Sequence, residues 1–169
     1  MKEKNTTQKV VFAAMFAALV CVATMAVKIP SPLKGYLNLG DCVVLLAGWM
    51  LSPVYGFLAA GFGSALADLF SGYVIYAPGT FLIKGAMALI AFYGLRLLQK
   101  QIGRLGAHIL TGLLAEIGMI LGYFVFEGLL YGFGAAVVNI PANGVQGAAG
   151  VLLGCVLVRV FERSKIRFS

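Results

Sequence analysis

Residues 139–147 read NIPANGVQG and lie between two strongly apolar runs. Asn139, Asn143 and Gln146 are spaced four and three apart, so a helix brings all three to one face. Polar groups without hydrogen bonds are costly in hydrocarbon. These side chains therefore either join helices to one another or bind something small and polar.

The chain around this stretch has the composition of an integral membrane protein. Of its 169 residues, 61% are hydrophobic and 11% are charged, whereas soluble domains have about 25% charged residues. The net charge of +7 does not indicate nucleic-acid binding, because the basic residues lie at segment ends rather than along one stripe. The three cysteines have neither disulfide nor metal-site spacing. We expect a lipid bilayer around the chain, and no cofactor, metal or nucleic acid.

A helix that crosses a bilayer needs about 20 mainly apolar residues. The apolar runs predict an all-α integral membrane protein that forms a single domain over residues 1–169. Its six predicted transmembrane helices span roughly residues 10–28, 41–52, 53–72, 79–98, 107–131 and 139–161. The second of these is short, and Ser52-Pro53 separates it from the third.

Basic residues predict the orientation, because cytoplasmic ends carry an excess of lysine and arginine. One side of the predicted bundle has Lys2, Lys4, Lys9, Arg96, Lys100, Arg104, Arg159, Arg163, Lys165 and Arg167, while Lys28 and Lys34 lie opposite. Both termini are therefore predicted to be cytoplasmic. The loop 29–40, IPSPLKGYLNLG, is then an outer loop restrained by Pro30 and Pro32 and a candidate lid.

Polar residues concentrate in the outer half of the predicted bundle, and Glu116 lies near its middle. Ionisable residues inside a membrane usually face a cavity and mark a functional site. We therefore expect an outward-facing pocket beneath the lid. The predicted substrate-binding residues are Asn143, Gln146, Lys84, Asp41, Glu116, Asn38, Tyr36, Tyr76 and Asp68.

Structural alternatives exist for several of the polar residues. Asp68 and Lys84 are equally well explained as a buried ion pair between the third and fourth spans. Glu116 is either a ligand contact or a carboxyl that is protonated or bonded to a nearby hydroxyl. For Asn139, capping of the sixth span is favoured over ligand contact.

For the aromatic residues and the amides of the sixth span, too, a structural role and ligand contact are the two alternatives. Tyr36 and Tyr76 either belong to an aromatic belt at the membrane interface or stack on a flat heterocycle. Ligand contact is favoured for Asn143 and Gln146. An interfacial role is favoured for His108, which begins the fifth span.

Small residues recur at four-residue spacing on the first span. Ala13 and Ala17 form one such pair, and Ala14 and Ala18 form an overlapping one. Faces of this kind let helices approach closely in lipid. They predict either packing inside the bundle or docking of another membrane subunit, and the spacing fits both.

The run at 36–85, from YLNLGD to FLIKG, and the stretch NIPANGVQGAAG at 139–150 together resemble the substrate-binding S components of energy-coupling factor (ECF) vitamin transporters. The nearest group is the one for riboflavin-like, hydroxymethylpyrimidine or pyridoxine substrates. The resemblance covers nearly the whole chain. It implies a six-helix protein of the bacterial cell membrane that binds one vitamin or precursor near its outer face.

The same resemblance implies partners. These are a transmembrane T subunit and two cytosolic ATP-binding-cassette ATPases, which topple the S component so that its pocket opens inward. In this family an alanine motif on the first helix docks the T subunit, here Ala14 and Ala18 or the overlapping Ala13 and Ala17. The sequence has no GxxxxGK[ST] loop, which agrees with ATP being bound by the partners.

Two other functions are less favoured. A solitary gradient-driven vitamin permease using Glu116 as a relay lacks the internal repeat that often marks such carriers. A membrane-embedded enzyme lacks a metal cluster or nucleophile pair, so no enzyme activity is expected. Among substrates, hydroxymethylpyrimidine or pyridoxine leads and riboflavin follows, because the outer half has no arginine to clamp a phosphate or carboxylate.

Overall fold

The computed structural model describes residues 6–31 and 35–164, which form a bundle of helices with one small hairpin. In chain order the elements are α1 (Thr6–Ala26), β1 (Lys28–Pro30), β2 (Tyr36–Asn38), α2 (Gly40–Met50), α3 (Pro53–Phe70), α4 (Ala77–Tyr131), α5 (Phe133–Ala136), a 3₁₀ turn (Val137–Asn139) and α6 (Ile140–Arg163). Outside the described residues lie Lys2, Lys4, Pro32, Lys34, Lys165 and Arg167.

The helix α4 is two antiparallel arms joined at Gly103. It has 55 residues, and Gly103 has φ 75° and ψ 166°, a conformation that favours glycine. The arms span 77–102 and 104–131 and lie side by side. The hydrogen bond from the Tyr76 hydroxyl to Glu127 Oε1, at 3.3 Å, shows this, because it joins the start of the first arm to the end of the second. The predicted spans 79–98 and 107–131 correspond to these arms.

The short helix α2 forms the centre of the bundle. Every residue of it except the last is buried, and at 1.5 Å per residue its length is about 16 Å, roughly half of a bilayer core. It ends before Ser52, and Pro53 opens α3 as its first residue, a position where the missing N–H of proline has no cost. The predicted break at Ser52-Pro53 is therefore confirmed.

Helices of membrane-spanning length account for most of the described chain. Four helical stretches are long and apolar enough to cross a membrane, namely Thr6–Ala26, Pro53–Phe70, Ala77–Tyr131 and Phe133–Arg163. Large apolar side chains cover their outer surface; Leu97 and Leu152, for example, are 71% and 70% exposed. Such a surface is favourable in contact with lipid, because lipid tails are as apolar as these side chains.

The prediction of an all-α fold needs one correction. Strands β1 and β2 pair antiparallel, with Lys28 opposite Asn38 and Pro30 opposite Tyr36. We call this pair the lid hairpin, and all of it except Lys28 lies within the predicted outer loop 29–40. Strands of three residues are too short for an alternating pattern to appear in a sequence, which is why the prediction missed them.

Helix α1 packs on α3 through small residues. A Cβ atom at Gly63 would lie 2.5 Å from the carbonyl oxygen of Ala17, so only glycine permits this approach. Ala13 and Ala17 are half-buried, whereas Ala14 and Ala18 are exposed. The two overlapping alanine pairs therefore have different surroundings, one inside the bundle and one on its outer surface.

Candidate ligand-binding site

A cavity lies beneath the lid hairpin, at the end of the bundle where α2, α4 and α6 begin. The room it holds for the centres of water molecules is about 30 Å³, and the total space between its side chains, which extends into the solvent at the mouth, is about 470 Å³. It is lined by Thr24, Ser31, Gly35, Tyr36, Asn38, Ser64, Asp68, Tyr73, Tyr76, Thr80, Lys84, Tyr123, Glu127, Asn139, Asn143 and Gln146. Most of these side chains are polar, in contrast to the apolar helices around them.

Hydrogen bonds from Tyr36 and Asn38 attach the lid hairpin to the helices below it. The Tyr36 hydroxyl donates to Asp68 Oδ1 at 2.7 Å, and the backbone N–H of Asn38 donates to Gln146 Oε1 at 2.9 Å. Burial, and then the nearby Asp68 carboxylate, raise the pKa of the Tyr36 hydroxyl above its ordinary value. The hydroxyl therefore keeps its proton and remains a donor across the physiological pH range.

A buried ion pair joins α2 to the first arm of α4. Lys84 Nζ contacts Asp41 Oδ1, and Gln146 Nε2 donates to Asp41 Oδ2 at 2.7 Å. Each of the three residues is at most 4% exposed. The predicted alternative, an ion pair between Asp68 and Lys84, is wrong, because the Asp41 carboxylate in the first turn of α2 is the partner of the lysine.

Glu116, on the second arm of α4, lies beside this ion pair. It is 3% exposed, and neither of its carboxylate oxygens has a hydrogen-bond partner in the described part of the chain. A Cβ atom at Gly150 would lie 2.7 Å from Glu116 Oε1, and one at Gly147 would lie 3.1 Å from Oε2. The glycines of α6 therefore make room for this carboxyl group.

Asp68 and Glu127 present a different arrangement on the cavity wall. Glu127 Oε1 accepts hydrogen bonds from Asn139 Nδ2 at 2.7 Å and from the Tyr76 hydroxyl at 3.3 Å. The second oxygens of both carboxyl groups, Asp68 Oδ2 and Glu127 Oε2, have no partner among the described residues, and neither has Asn139 Oδ1. The predicted capping role of Asn139 is wrong, because its side chain makes no cap hydrogen bond and bonds to Glu127 instead.

Tyrosine rings form a row along the same wall. The ring centroids of Tyr36 and Tyr73 are 4.7 Å apart, and those of Tyr73 and Tyr76 are 6.5 Å apart, both within the range of aromatic contacts. One end of the row is hydrogen-bonded to Asp68 and the other to Glu127. The two carboxyl groups therefore fix the two ends of the row.

The structure brings together most of the predicted binding residues. Asn143, Gln146, Lys84, Asn38, Tyr36, Tyr76 and Asp68 line the cavity, whereas Asp41 and Glu116 are not among the lining residues. The lining residues that the sequence analysis did not select include Glu127 and Asn139. Their signal was a carboxyl group and an amide at the predicted outer ends of the fifth and sixth spans.

His108 differs from its predicted interfacial position. It is 3% exposed, and its ring packs edge-on against Trp49 with centroids 4.8 Å apart. Trp49 also donates from Nε1 to Thr111 Oγ1 at 3.0 Å. His108 therefore packs against the end of α2, where Trp49 lies.

An apolar helical bundle with a polar cavity at one end places the chain in the class of multi-pass membrane proteins. The family model for the S component of ECF-type riboflavin transporters matches residues 4–163. The chain belongs to this family of ECF transporter S components. It is therefore a transport protein of the membrane, with a role in vitamin or vitamin-precursor transport, and not an enzyme.

Individual proteins agree with the family assignment. The chain is 29% identical over 168 residues to the thiamine precursor transporter HmpT of Lactococcus lactis subsp. cremoris (strain MG1363), covering 98% of this chain and 94% of HmpT. It is 38% identical over 136 residues to an uncharacterised protein of Pyrococcus woesei, covering 80% of this chain and 88% of that one.

Two solved structures share the fold. The S component of a bacterial ECF transporter has a TM-score of 0.74 and 22% identity, covering 96% of this chain and all of that one (100%). The S component for biotin from an ECF-type ABC transporter has a TM-score of 0.61 and 18% identity, covering 94% of this chain and 95% of that one.

Proposed function

We propose that this chain captures a small vitamin or vitamin precursor in the cavity beneath the lid hairpin and delivers it inward with a T subunit and two ATPases. The observation that carries the proposal is the cavity itself. Buried carboxyl, amide and hydroxyl groups from α1, α3, α4 and α6 converge under a closing hairpin in an otherwise apolar bundle. Such a concentration of polar groups is typical of a ligand site in a membrane protein.

We further propose that residues 1–169 form one membrane domain with six spans and both termini in the cytoplasm. The end of the bundle opposite the lid hairpin holds the exposed residues Arg96, Lys100 and Arg104 near the break in α4. Arg104 Nε lies 3.2 Å from Glu162 Oε1 near the end of α6, so the basic residues of α4 and α6 share this end. The positive-inside rule makes it cytoplasmic, and the cavity then opens outward.

The substrate we propose is hydroxymethylpyrimidine or pyridoxine, with riboflavin as the next candidate. The similarity to a thiamine precursor transporter over nearly the whole chain supports a pyrimidine, while the family description supports riboflavin. None of the described residues that line the cavity is an arginine, the side chain best suited to bind phosphate or carboxylate bidentately. A small neutral or basic heterocycle fits this wall better than a phosphorylated vitamin.

For the T subunit we propose docking at Ala14 and Ala18. Both are exposed on α1, whereas Ala13 and Ala17 are half-buried against the bundle. A pair of small residues on a free helix face permits close approach of a second membrane helix. The overlapping pair is already used for packing inside this chain.

The first test is calorimetric titration of the purified chain with hydroxymethylpyrimidine, pyridoxine, riboflavin and thiamine. We expect one-to-one binding of one of the first three. In proteoliposomes, uptake should then require the T subunit, both ATPases and ATP. Uptake by the chain alone in an ion gradient would contradict the proposal and support a solitary permease.

The docking surface has its own test. Ala14→Phe should abolish assembly with the T subunit and uptake, while the isolated variant binds ligand with unchanged affinity. Leu19→Phe is the matched control, because Leu19 is also exposed on α1, at 49%, and its five-residue offset from Ala14 places it away from the face that Ala14 and Ala18 share. Equal loss of ligand binding and assembly in Ala14→Phe would assign the alanine to internal packing instead.

A further inference from the structure

Gln146 uses both ends of its side-chain amide on other residues of the chain. Its Oε1 accepts a hydrogen bond from the backbone N–H of Asn38 at 2.9 Å, and Asn38 Nδ2 lies 3.5 Å from the same oxygen. Its Nε2 donates to Asp41 Oδ2 at 2.7 Å. The residue lines the cavity and is 4% exposed. A buried side chain that is bonded at both ends acts on a ligand through the residues that it holds.

The end of the lid hairpin and the first turn of α2 meet at these bonds. Asn38, the last residue of β2, accepts a hydrogen bond from the N–H of Gly40 at its Oδ1, at 2.8 Å. Gly40 is packed closely against α1, because a Cβ atom there would lie 2.0 Å from Thr24 Oγ1. Gln146 bonds to Asn38 on one side and to Asp41 on the other. Both ends of the short segment 38–41 are therefore joined to α6.

A series of four residues, Lys84, Asp41, Gln146 and Asn38, connects the buried ion pair to the hairpin, and we call it the lid relay. Its two ends, the Lys84 ammonium group and the Asn38 N–H, can only donate hydrogen bonds. The Asp41 carboxylate accepts on both sides. Gln146 must therefore donate to Asp41 through its nitrogen and accept from Asn38 through its oxygen, and the structure shows this orientation.

We propose that Gln146 is a positioning residue, which holds the lid hairpin over the cavity by connecting it to the ion pair of Asp41 and Lys84. The lid relay runs from α4 through α2 and α6 to β2, so a displacement of α6 relative to α2 breaks it and frees this end of the hairpin. The inference rests on the proposed function for the role of the lid in binding. It gives Gln146 an effect on ligand affinity without direct ligand contact.

Hydrogen exchange at the backbone N–H of Asn38 tests the proposal without a ligand. The chain has four asparagines, at positions 5, 38, 139 and 143, so backbone ¹⁵N-asparagine labelling of the full chain in detergent gives few NMR signals. Gln146→Leu removes the acceptor, and exchange at Asn38 should become at least about fivefold faster, as expected for the loss of one hydrogen bond. Exchange at Asn143, inside α6, should stay unchanged and is the reference for global unfolding.

The control for this measurement is Asn143→Leu. It changes another residue of α6 that lines the cavity, so it tests whether any apolar substitution on this face loosens the hairpin. Exchange at Asn38 should match that of the wild-type chain, with Asn139 as the reference.

The order of donors and acceptors has a separate test. Asp41→Asn alone turns an amide nitrogen toward either Gln146 or Lys84, so two donors face each other in both cases. Adding Gln146→Glu restores the order, because that nitrogen then donates to the carboxylate at position 146, which still accepts from Asn38. The double variant should therefore unfold in detergent at a higher temperature than Asp41→Asn. The control combines Asp41→Asn with Asn143→Glu, which adds a carboxylate three residues earlier on α6 and should give no such gain.

Each outcome decides the inference. Faster exchange at Asn38 but not at Asn143 in Gln146→Leu, together with the gain in the double variant, supports it. Unchanged exchange at Asn38, or an equal increase at both residues, overturns it. A double variant no more stable than Asp41→Asn, or an equal gain in its control, overturns it too. If Gln146→Leu does not fold, the wild-type chain decides: slow exchange at Asn38 supports the inference, and exchange as fast as in an unfolded chain overturns it.

Ligand binding separates failure of this inference from failure of the proposed function. Calorimetry on the same variants uses hydroxymethylpyrimidine, pyridoxine and riboflavin as probes. Gln146→Leu should weaken binding of the probe that the wild-type chain binds by about five- to tenfold. Unchanged affinity would overturn the effect of lid position on binding. If the wild-type chain binds none of the probes, the proposed capture function is contradicted, while hydrogen exchange still decides whether Gln146 positions the hairpin.

Discussion

Two groups of buried carboxyl residues lie close together in this bundle and differ in how they are satisfied. Asp41, at the start of α2, contacts Lys84 and accepts a hydrogen bond from Gln146. Asp68 and Glu127, on the cavity wall, each bond through one oxygen and leave the other without a described partner. Burial alone therefore does not separate structural residues from those proposed to bind a ligand. An oxygen without a described partner points to binding only where the residue also lines the cavity, as Asp68 and Glu127 do.

Breaking the ion pair should have the largest effect on stability. Lys84→Met leaves the Asp41 carboxylate buried without its cation, which costs about 3–5 kcal/mol of unfolding free energy. Thermal unfolding in detergent measures the loss. Asp68→Asn, which keeps an acceptor for Tyr36, should cost less than about 1 kcal/mol.

The double variant Lys84→Met with Asp41→Asn is the control for this prediction. It removes both charges and keeps an acceptor for Gln146, so it should recover at least half of the lost stability. A double variant as unstable as Lys84→Met would show that the lysine contributes through packing and not through the charge of Asp41.

Filling the space around Glu116 should have the next largest effect. Gly150→Ala places a Cβ atom 2.7 Å from Glu116 Oε1 and 2.9 Å from Asp41 Cβ, and such overpacking typically costs about 1–3 kcal/mol. Gly144→Ala is the matched control in the same helix, because a Cβ there meets no atom within 4 Å. The control should be as stable as wild type or slightly more stable, and equal losses in both variants would contradict the packing explanation.

Loosening the lid hairpin should act on binding and hardly on folding. Tyr36→Phe removes the hydrogen bond to Asp68, which at about 1 kcal/mol corresponds to a roughly fivefold loss in ligand affinity. Because the raised pKa of Tyr36 keeps its hydroxyl protonated, the ratio of wild-type to variant affinity should stay constant between about pH 6 and 8. Calorimetry at both pH values checks this, with Tyr93→Phe on the lipid-facing surface as control.

The smallest effect is expected for Glu116→Gln. Neither carboxylate oxygen of Glu116 has a described hydrogen-bond partner, so an amide of the same shape changes only its contact with the nearby Asp41 and Lys84 and should change stability by less than about 1 kcal/mol. Ligand affinity should also stay unchanged, because Glu116 is not among the residues that line the cavity. A loss of ligand affinity in Glu116→Gln would extend the binding site below the cavity wall.

Much of the fold could be predicted because it depends on local properties of the chain. The helix boundaries follow from apolar length and from Pro53 at the start of α3. The positive φ of Gly103, which lets the two arms of α4 turn back, was found only in the structure. The sequence also singled out Asn38 and Gln146, which the structure places on the cavity wall, because polar groups beside apolar runs are costly unless they are paired or bind a ligand. Their role in binding stays a prediction. The lid hairpin escaped prediction because its three-residue strands carry no periodic signal.

Pairing could not be predicted, because it depends on which helices become neighbours. The sequence contains one lysine in the fourth predicted span and several carboxyl groups that could meet it, and only the packing of α2 against α4 selected Asp41 over Asp68. The same packing turned Asn139 toward Glu127 instead of toward its own helix end. Helix rotation likewise separated exposed Ala14 from half-buried Ala13.

The sequence by itself determined that this is a membrane protein and roughly where its helices begin and end. It also determined that polar groups gather at one end of the bundle. These properties follow from hydrophobic length and from the cost of polar groups in lipid, which act residue by residue. Only the tertiary structure decided which polar groups satisfy one another and which remain for a ligand. That division depends on distances of about 3 Å between residues far apart in the chain, and hydrogen bonds are lost beyond that range.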